Sequence, residues 1–339
     1  MSFDKTQDTS SDAPSDSSEK QPNRLALIDG NAIMHRAFHA FPPLTNPKGE
    51  VVNAVYGFFS MLLSVLRELR PTYLVVCFDR SKPTLRQAMY AGYHAHRPKM
   101  ADEFVPQVQT IHELLEKAGV AIFELDGYEG DDLIGTIATE VRSKKEEGRK
   151  HEIETIIVTG DRDMLQLVND STKVLMPLTG ITKTVLFDEA KVEEKYGVKP
   201  SQFVDYKALI GDASDGYPGV TGIGPKTAAT LLSEHKSFEN LFTDMKKLPE
   251  KVALMLATDA EQASLAKKLA TIITDAPIQF DLSKCLCADL NIQALQEAFE
   301  EQSFNSLVKR LNGDHKILMD ESKQKRDNKE KSEQLGLLE

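Results

Sequence analysis

Along roughly the first two hundred residues, short apolar runs alternate with segments whose apolar residues recur at helical spacing. The runs are Arg24–Asp29, Tyr73–Asp79, Ala121–Leu125 and Thr155–Asp161. Runs this short and this apolar read as strands buried on both faces of a parallel sheet. Between the first two, Val55, Phe58, Phe59, Leu62, Leu63 and Leu66 repeat at i, i+3, i+4 and i+7, which predicts an amphipathic helix over Asn53–Arg70. Further helices are predicted at Glu103–Ala118 and Gly130–Arg142. This alternation argues for an α/β domain with a mainly parallel central sheet and flanking helices. Beyond Tyr196 the pattern turns mostly helical, interrupted by a glycine-rich turn at Gly219–Gly224. The expected organisation is a sheet domain over 24–195 and a smaller helical domain over 196–312. The polar segments 1–23 and 313–339 are expected to be disordered tails.

Composition narrows the class. No apolar run approaches the ~18 residues of a membrane span, and the Ser/Asp-rich N-terminus lacks the apolar core of a secretory signal. Three cysteines, Cys77, Cys285 and Cys287, form no disulfide framework and fit a reducing cytoplasm. Cys285 and Cys287 lack the second Cys/His pair that a zinc site needs. The net charge of −11 argues against a nucleic-acid partner until the charges are sorted. Residues 1–23 hold five acids and two lysines, and 313–339 hold seven acids and six bases, leaving −7 on the body. Nine of those acids belong to one candidate site, and the body is +2 without them. Net charge therefore does not exclude DNA.

Open parallel sheets collect ligands outside the carboxyl ends of their strands. Three runs end at Asp29, Asp79 and Asp161, with Asp163 two residues further on. The Ala121 run leads into a loop bearing Glu129, Asp131 and Asp132 at the start of a helix, and Asp212 and Asp215 follow later. Taken singly, each acid reads as a helix cap or turn residue. As a set they would repel one another unless cations compensate. Oxygen ligands without Cys or His select Mg²⁺ or Mn²⁺. Two such ions about 3.5–4 Å apart suit phosphodiester hydrolysis.

The segments LIDGN (27–31), HAFPPLTN (39–46), FDRSKPTLR (78–86), GYEGDD (127–132), TGDRDMLQLV (159–168) and GDASDGYPGVTGIGPKTA (211–228) make the reading specific. In this order, over about 24–312, they resemble the 5′→3′ exonuclease domain of bacterial DNA polymerase I, within the flap endonuclease family. The resemblance implies a PIN-like nuclease core followed by a helix–hairpin–helix domain. It implies a structure-specific 5′→3′ exonuclease and 5′-flap endonuclease, active in Okazaki-fragment processing and DNA repair. Asp29, Asp79, Glu129, Asp131 and Asp161 would hold a first ion. Asp131, Asp161, Asp163 and Asp215 would hold a second, with Asp132 and Asp212 in support.

The same resemblance marks about 80–105 as an arch over a single strand, with Lys82, Tyr90, Tyr93 and Arg97 on the DNA. Arg86 and His94 would be its catalytic cations, although a solvated basic helix is the alternative. His94 stands where polymerase-type relatives carry Lys, and His35 where they carry Tyr to stack on a base. A histidine's charge varies near neutral pH, so Arg86 is the stronger candidate for polarising phosphate. Gly222, Gly224, Lys226 and Thr227, within 211–236, look like a helix–hairpin–helix turn that grips duplex phosphate with a K⁺ ion. A glycine turn between packed helices is the alternative. Pro225 separates Gly224 from Lys226 and so breaks the nucleotide-binding GK[ST] order.

Gln334–Leu338 resembles the short peptide by which bacterial replication proteins dock on the sliding clamp, and an unstructured amphipathic terminus is its alternative. The stop at Glu339 fits either a stand-alone nuclease or the N-terminal portion of a polymerase. The expected partner is duplex DNA with a 5′ flap, nick or free 5′ end, bound by a monomer in the bacterial cytoplasm at the nucleoid. Two other classes stay open. A ribonuclease with a related acidic core would commonly lack the hairpin, and a non-catalytic DNA-binding relative would have lost carboxylates.

Overall fold

The computed structural model describes residues 23–97, 99–146, 153–179 and 183–313. The terminal segments beyond Asn23 and Gly313, and with them the Gln334–Leu338 peptide, lie outside the described residues. In chain order the sheet region runs β1 Asn23–Asp29, α1 Gly30–Ala40, α2 Asn53–Leu69, β2 Tyr73–Cys77, α3 Leu85–Met89, α4 Val105–Lys117, β3 Ala121–Phe123, α5 Gly130–Glu146, β4 Ile153–Val158, β5 Thr172–Thr179 and β6 Lys183–Phe187. The helical region continues with α6 Glu189–Tyr196, α7 Phe203–Ile210, β7 Gly211–Asp212, β8 Tyr217–Pro218, α8 Pro225–His235, α9 Phe238–Thr243, α10 Glu250–Thr258, α11 Ala260–Ala270 and α12 Ile292–Glu301.

The six strands lie in the order β3-β2-β1-β4-β5-β6. Every pairing is parallel except β5 with β6, which is antiparallel at the edge. The mainly parallel α/β architecture is as expected. Two strands, β5 and β6, were not read from the sequence. Strand β5 is charged at its start and broken by Pro177, and β6 is an edge strand only half-buried, so neither shows a continuous apolar run.

Alternation along the strands divides the core into two layers. Leu25, Leu27, Val75, Cys77 and Ile157 face one layer, while Ala26, Ile28, Val76, Ile156 and Val158 face the other. This is the two-sided burial that makes parallel strands read as unbroken apolar runs. Helices α5, α7 and α8 contribute to the first layer through Leu133, Ile137, Leu209 and Leu232. Helices α2, α4 and α12 contribute to the second through Phe59, Leu63, Leu115 and Phe299.

The helical region therefore shares its cores with the sheet. After α11 the chain returns to the sheet, where Leu286 bridges Tyr73. A helical segment at 305–313 then seals the second layer, with Arg310 donating to the Ser60 hydroxyl at 2.7 Å. No described helix is long and apolar enough to cross a membrane.

Candidate active site

Four parallel strands deliver acids to one edge because each ends in the same direction. Asp29 closes β1, where its Oδ1 accepts from the Ala32 amide at 2.9 Å and caps α1. Its Oδ2 accepts from the Thr159 hydroxyl at 2.5 Å, tying β1 to the end of β4. Asp79, two residues past β2, accepts from the Gly130 amide at the start of α5 at 2.6 Å. An acid suits that helix end, whose free N–H groups carry partial positive charge. Asp131 enters from the first turn of α5, and Asp161 from the loop after β4.

Asp29, Asp79, Glu129, Asp131, Asp161, Asp163 and Asp215 line one cavity of about 720 Å³. Burial pushes Asp29 up to about 7, with Asp79 and Asp161 adding to it through like-charge repulsion. Asp163 is also pushed up to about 7 by burial and by Asp161. Asp131 is raised by burial and then by Asp161, Asp29 and Asp79. Carboxylates raised in this way are short of positive charge, and every donor in the set is a hard oxygen. Divalent cations fit both features.

At one end of the cavity Asp163, Asp212 and Asp215 bring carboxylate oxygens within 4.8 Å of one another. Lys207 of α7, 7% exposed, forms ion pairs with both Asp163 and Asp212. Burial opposes ionisation of Asp212, yet Lys207 and the Ser214 hydroxyl outweigh it and hold the carboxyl below its ordinary value. Sequence reasoning missed Lys207. Its signal was a single cation in the otherwise mostly apolar helix FVDYKALI, five residues before Asp212.

Arg86 takes a different place from the one the sequence suggested. It is buried, and all five of its N–H donors are engaged. Nε donates to the Leu269 carbonyl and Nη2 to the Thr271 carbonyl, at 2.9 and 2.8 Å. Nη1 and Nη2 fork onto Asp132 at 2.9 and 2.7 Å, and Nη1 also reaches Glu129 at 3.1 Å. A guanidinium so committed is a clamp between α3, α5 and the end of α11, and it has no donor left for a phosphate.

Asp132, expected in support of the ions, is bound up with it. It is 1% exposed, and besides Arg86 it accepts from the Glu129 and Ile273 amides at 3.1 and 2.9 Å. Four acceptances satisfy its lone pairs, so it holds Arg86 and not an ion. Glu129 accepts from Thr84 and Tyr93 hydroxyls as well as Arg86, at 2.8, 3.0 and 3.1 Å.

A model of the 5′–3′ exonuclease N-terminal resolvase-like domain matches residues 24–197, and one of the 5′–3′ exonuclease C-terminal SAM fold matches 198–293. The chain belongs to the 5′–3′ exonuclease family. DNA polymerase I of Lactococcus lactis subsp. cremoris (strain MG1363) is 39% identical over 297 residues, which is 86% of this chain and 33% of that protein. DNA polymerase I of Bacillus subtilis (strain 168) is 40% identical over 296 residues, covering 86% and 32%. The chain thus spans about a third of the length of these relatives.

Bacteriophage T5 D15 protein, crystallised with metal ions, shares the fold at TM-score 0.60 and 18% identity, over 87% of this chain and all of that one. A pseudo-enzyme–product complex of T5 D15 flap endonuclease with DNA and metal ions matches at TM-score 0.60 and 17% identity, over 87% and 99%. At that identity the likeness speaks for the fold.

In this member of the family the segment expected as an arch is folded down onto the site. Among its described residues α3 is the one helix before α4 begins, and turns follow at 91–96. Tyr93, expected on the DNA bases, is 6% exposed and packs with Tyr217 and Leu269, so its ring is unavailable for a strand. His94 has φ +57°, its amide donates to the Asp215 carbonyl at 2.8 Å, and its Nε2 lies 3.1 Å from Asp215 Oδ1. Arg97 donates to the same oxygen at 2.9 Å. Burial opposes the Asp215 charge, but His94 and Arg97 hold the carboxyl below its ordinary value.

His35 is exposed on α1, lines the cavity and leans on Phe104 with ring centroids 4.8 Å apart. Lys82 sits farther out, paired with Asp126 at 2.5 Å, and Tyr90 packs beside the Tyr93–Tyr217 cluster. Gly222 takes φ +86°, and Gly224 precedes α8, whose first turn exposes Lys226 and Thr227. The Thr221 amide donates to Asp259 at 2.7 Å and fixes this turn against α10.

Proposed function

We propose that this chain is a structure-specific 5′→3′ exonuclease and 5′-flap endonuclease that hydrolyses DNA phosphodiester bonds with two divalent cations, Mg²⁺ or Mn²⁺. The observation that carries the reading is the convergence of seven carboxylates, most of them from the ends of parallel strands, on one cavity. Asp29, Asp79, Asp131 and Asp161 would hold one cation, with Glu129 behind them. Asp163 and Asp215, with Asp212 beside them, would hold the other. Such cations, when bound, activate a water and stabilise the leaving oxygen.

The chain's own residues orient and shield. Arg86 and Asp132 keep Glu129 and the start of α5 in place. Lys207 offsets charge at Asp163 and Asp212, so that these acids fold together. Arg97, Lys99 and the His35 ring, at the rim of the cavity, suit the phosphates and the end base of a single strand. The Gly222–Thr227 turn suits duplex phosphate, with a K⁺ ion as part of the same reading. Such contacts read position and not base sequence.

The substrate is then a duplex with a 5′ flap, nick or free 5′ end. Okazaki-fragment processing and excision repair supply these ends, in the cytoplasm of a bacterium at its nucleoid, for a monomeric enzyme. Docking of Gln334–Leu338 on a sliding clamp belongs to the same proposal. Deleting residues 334–339 tests it, and unchanged clamp affinity removes it.

The deciding experiment compares 5′-labelled flap, nicked, blunt and single-stranded DNA with Mg²⁺, Mn²⁺ or EDTA. Cleavage should require a divalent ion and favour the flap and the nick. Activity that survives chelation, or ignores substrate structure, overturns the reading. Asp131→Ala and Asp161→Ala should each abolish cleavage and keep part of the DNA affinity.

A further inference from the structure

Among the described residues, Tyr217 carries a buried hydroxyl beside the carboxylates that the packing of its ring does not account for. It lies on β8 directly opposite Asp212 on β7. Directly opposed residues of an antiparallel pair present their side chains on the same face, a few ångströms apart. The Tyr217 ring runs parallel to that of Tyr93, 15° between planes and 6.5 Å between centroids. The Tyr93 hydroxyl reaches Glu129, whereas the Tyr217 hydroxyl is buried and has no hydrogen-bond partner among the described residues. Asp163, Asp212, Asp215 and Asp161 are the charges that act on it.

A buried hydroxyl without a partner is costly, and native structures rarely keep one without a role. Phenylalanine would fill the same space without that cost. The residue is 3% exposed, so bulk water does not satisfy it. Its backbone is held in place by glycines. A Cβ at Gly211 would meet the Gly219 amide nitrogen at 2.3 Å, so only glycine lets β7 and β8 close this tightly. The fold thus fixes a neutral donor beside Asp163, Asp212 and Asp215 without bonding it to any of them.

We propose that Tyr217 is a positioning residue of the second cation centre, its hydroxyl donating to a water carried by a divalent ion held at Asp163, Asp212 and Asp215. The inference rests on the two-cation reading above. Lys207 already occupies the inner oxygens of Asp163 and Asp212, and a donor one water removed can order the ion's shell without competing for those oxygens. Groups that orient a metal's ligands or waters from outside commonly change affinity by about 10–100-fold when removed.

The test is Tyr217→Phe in the full chain, which keeps the ring and its contact with Tyr93. Mn²⁺ binding is followed by calorimetry and by electron paramagnetic resonance, beside melting curves in EDTA and in Mg²⁺. We expect wild type to bind two Mn²⁺ ions and Y217F to bind the weaker one about tenfold less tightly. In EDTA the variant should melt at the wild-type temperature or above it, since it loses only an unsatisfied group. In Mg²⁺ its gain in melting temperature should be smaller than wild type's.

Two ions bound by both proteins with equal affinities would overturn the role of Tyr217 and leave the two-cation reading standing. A variant that melts lower by the same amount in EDTA and in Mg²⁺ would also overturn it, because the hydroxyl would then matter for packing alone. Fewer than two Mn²⁺ ions on wild type would overturn both.

Discussion

The Arg86 clamp yields a quantitative expectation that separates it from a phosphate-binding cation. Arg86→Met keeps the volume and removes five donors at once. Breaking one side of a buried ion pair typically costs about 3–5 kcal/mol. Here Asp132 retains the Glu129 and Ile273 amides, and Glu129 retains the Thr84 and Tyr93 hydroxyls. The loss should therefore fall at the lower end, about 3 kcal/mol. At an unfolding entropy of about 2.1 cal/mol/K per residue, a chain of this size shifts by roughly 1.5 °C per kcal/mol, so melting in EDTA should fall on the order of 4–5 °C.

Arg86→Lys should recover only part of this, because an ammonium cannot fork across Asp132 and Glu129 while reaching two carbonyls. The double variant Arg86→Met with Asp132→Leu should melt above Arg86→Met alone, since it removes the stranded charge. Scanning calorimetry read beside flap cleavage decides the matter. A melting temperature within a degree of wild type, with cleavage lost, would mean that Arg86 acts on the phosphate and that the clamp argument is wrong.

Three further outcomes follow from the same geometry. Lys207→Met strips the cation from Asp163 and Asp212, so melting should fall in EDTA and recover more than wild type does when Mg²⁺ is added; equal recovery counts against Lys207 as the local counter-charge. Asp29 and Asp163 titrate near 7 in the folded chain and near 3.8 when unfolded, so the folded state binds more protons in between. Their contribution to stability is therefore present below about pH 4 and lost as pH rises towards 7, and the melting gap between EDTA and Mg²⁺ should widen over that range. A gap that is flat with pH would place the burial cost elsewhere. Gly219→Ala sets a Cβ 2.3 Å from the Gly211 amide nitrogen, so it should weaken Mn²⁺ binding at the Asp212 end while leaving the Asp29 end intact; calorimetric titration with unchanged stoichiometry and affinities would refute this.

Much of the molecule was legible in its residues. The runs ending at Asp29, Asp79 and Asp161 are apolar on both faces, and only a buried parallel sheet satisfies that pattern. Parallel strands end together, so the acids that follow them had to meet at one edge. The order of the motifs then pointed to the nuclease family before any coordinate was known. Strand β6 escaped because it is a half-solvated edge strand, and β5 because Lys173 and Pro177 interrupt its apolar residues, so neither carries that signature.

Roles within the site were another matter. Arg86, Tyr93 and His94 stand in a segment whose basic and aromatic residues suit a strand of DNA, and Asp132 in an acidic loop that suits cations, yet a residue's type does not say which way its side chain turns. Tertiary structure decided that Arg86 is spent on Asp132, Glu129 and two carbonyls from α11 and just beyond it, nearly two hundred residues away. It brought Lys207 and Tyr217 beside Asp163, a carboxylate to which no local spacing linked them. The sequence by itself determined which residues end the strands, because burial and periodicity are local constraints. Which charges are already paired depends on helices packed from far along the chain, and only the folded protein brings those partners together.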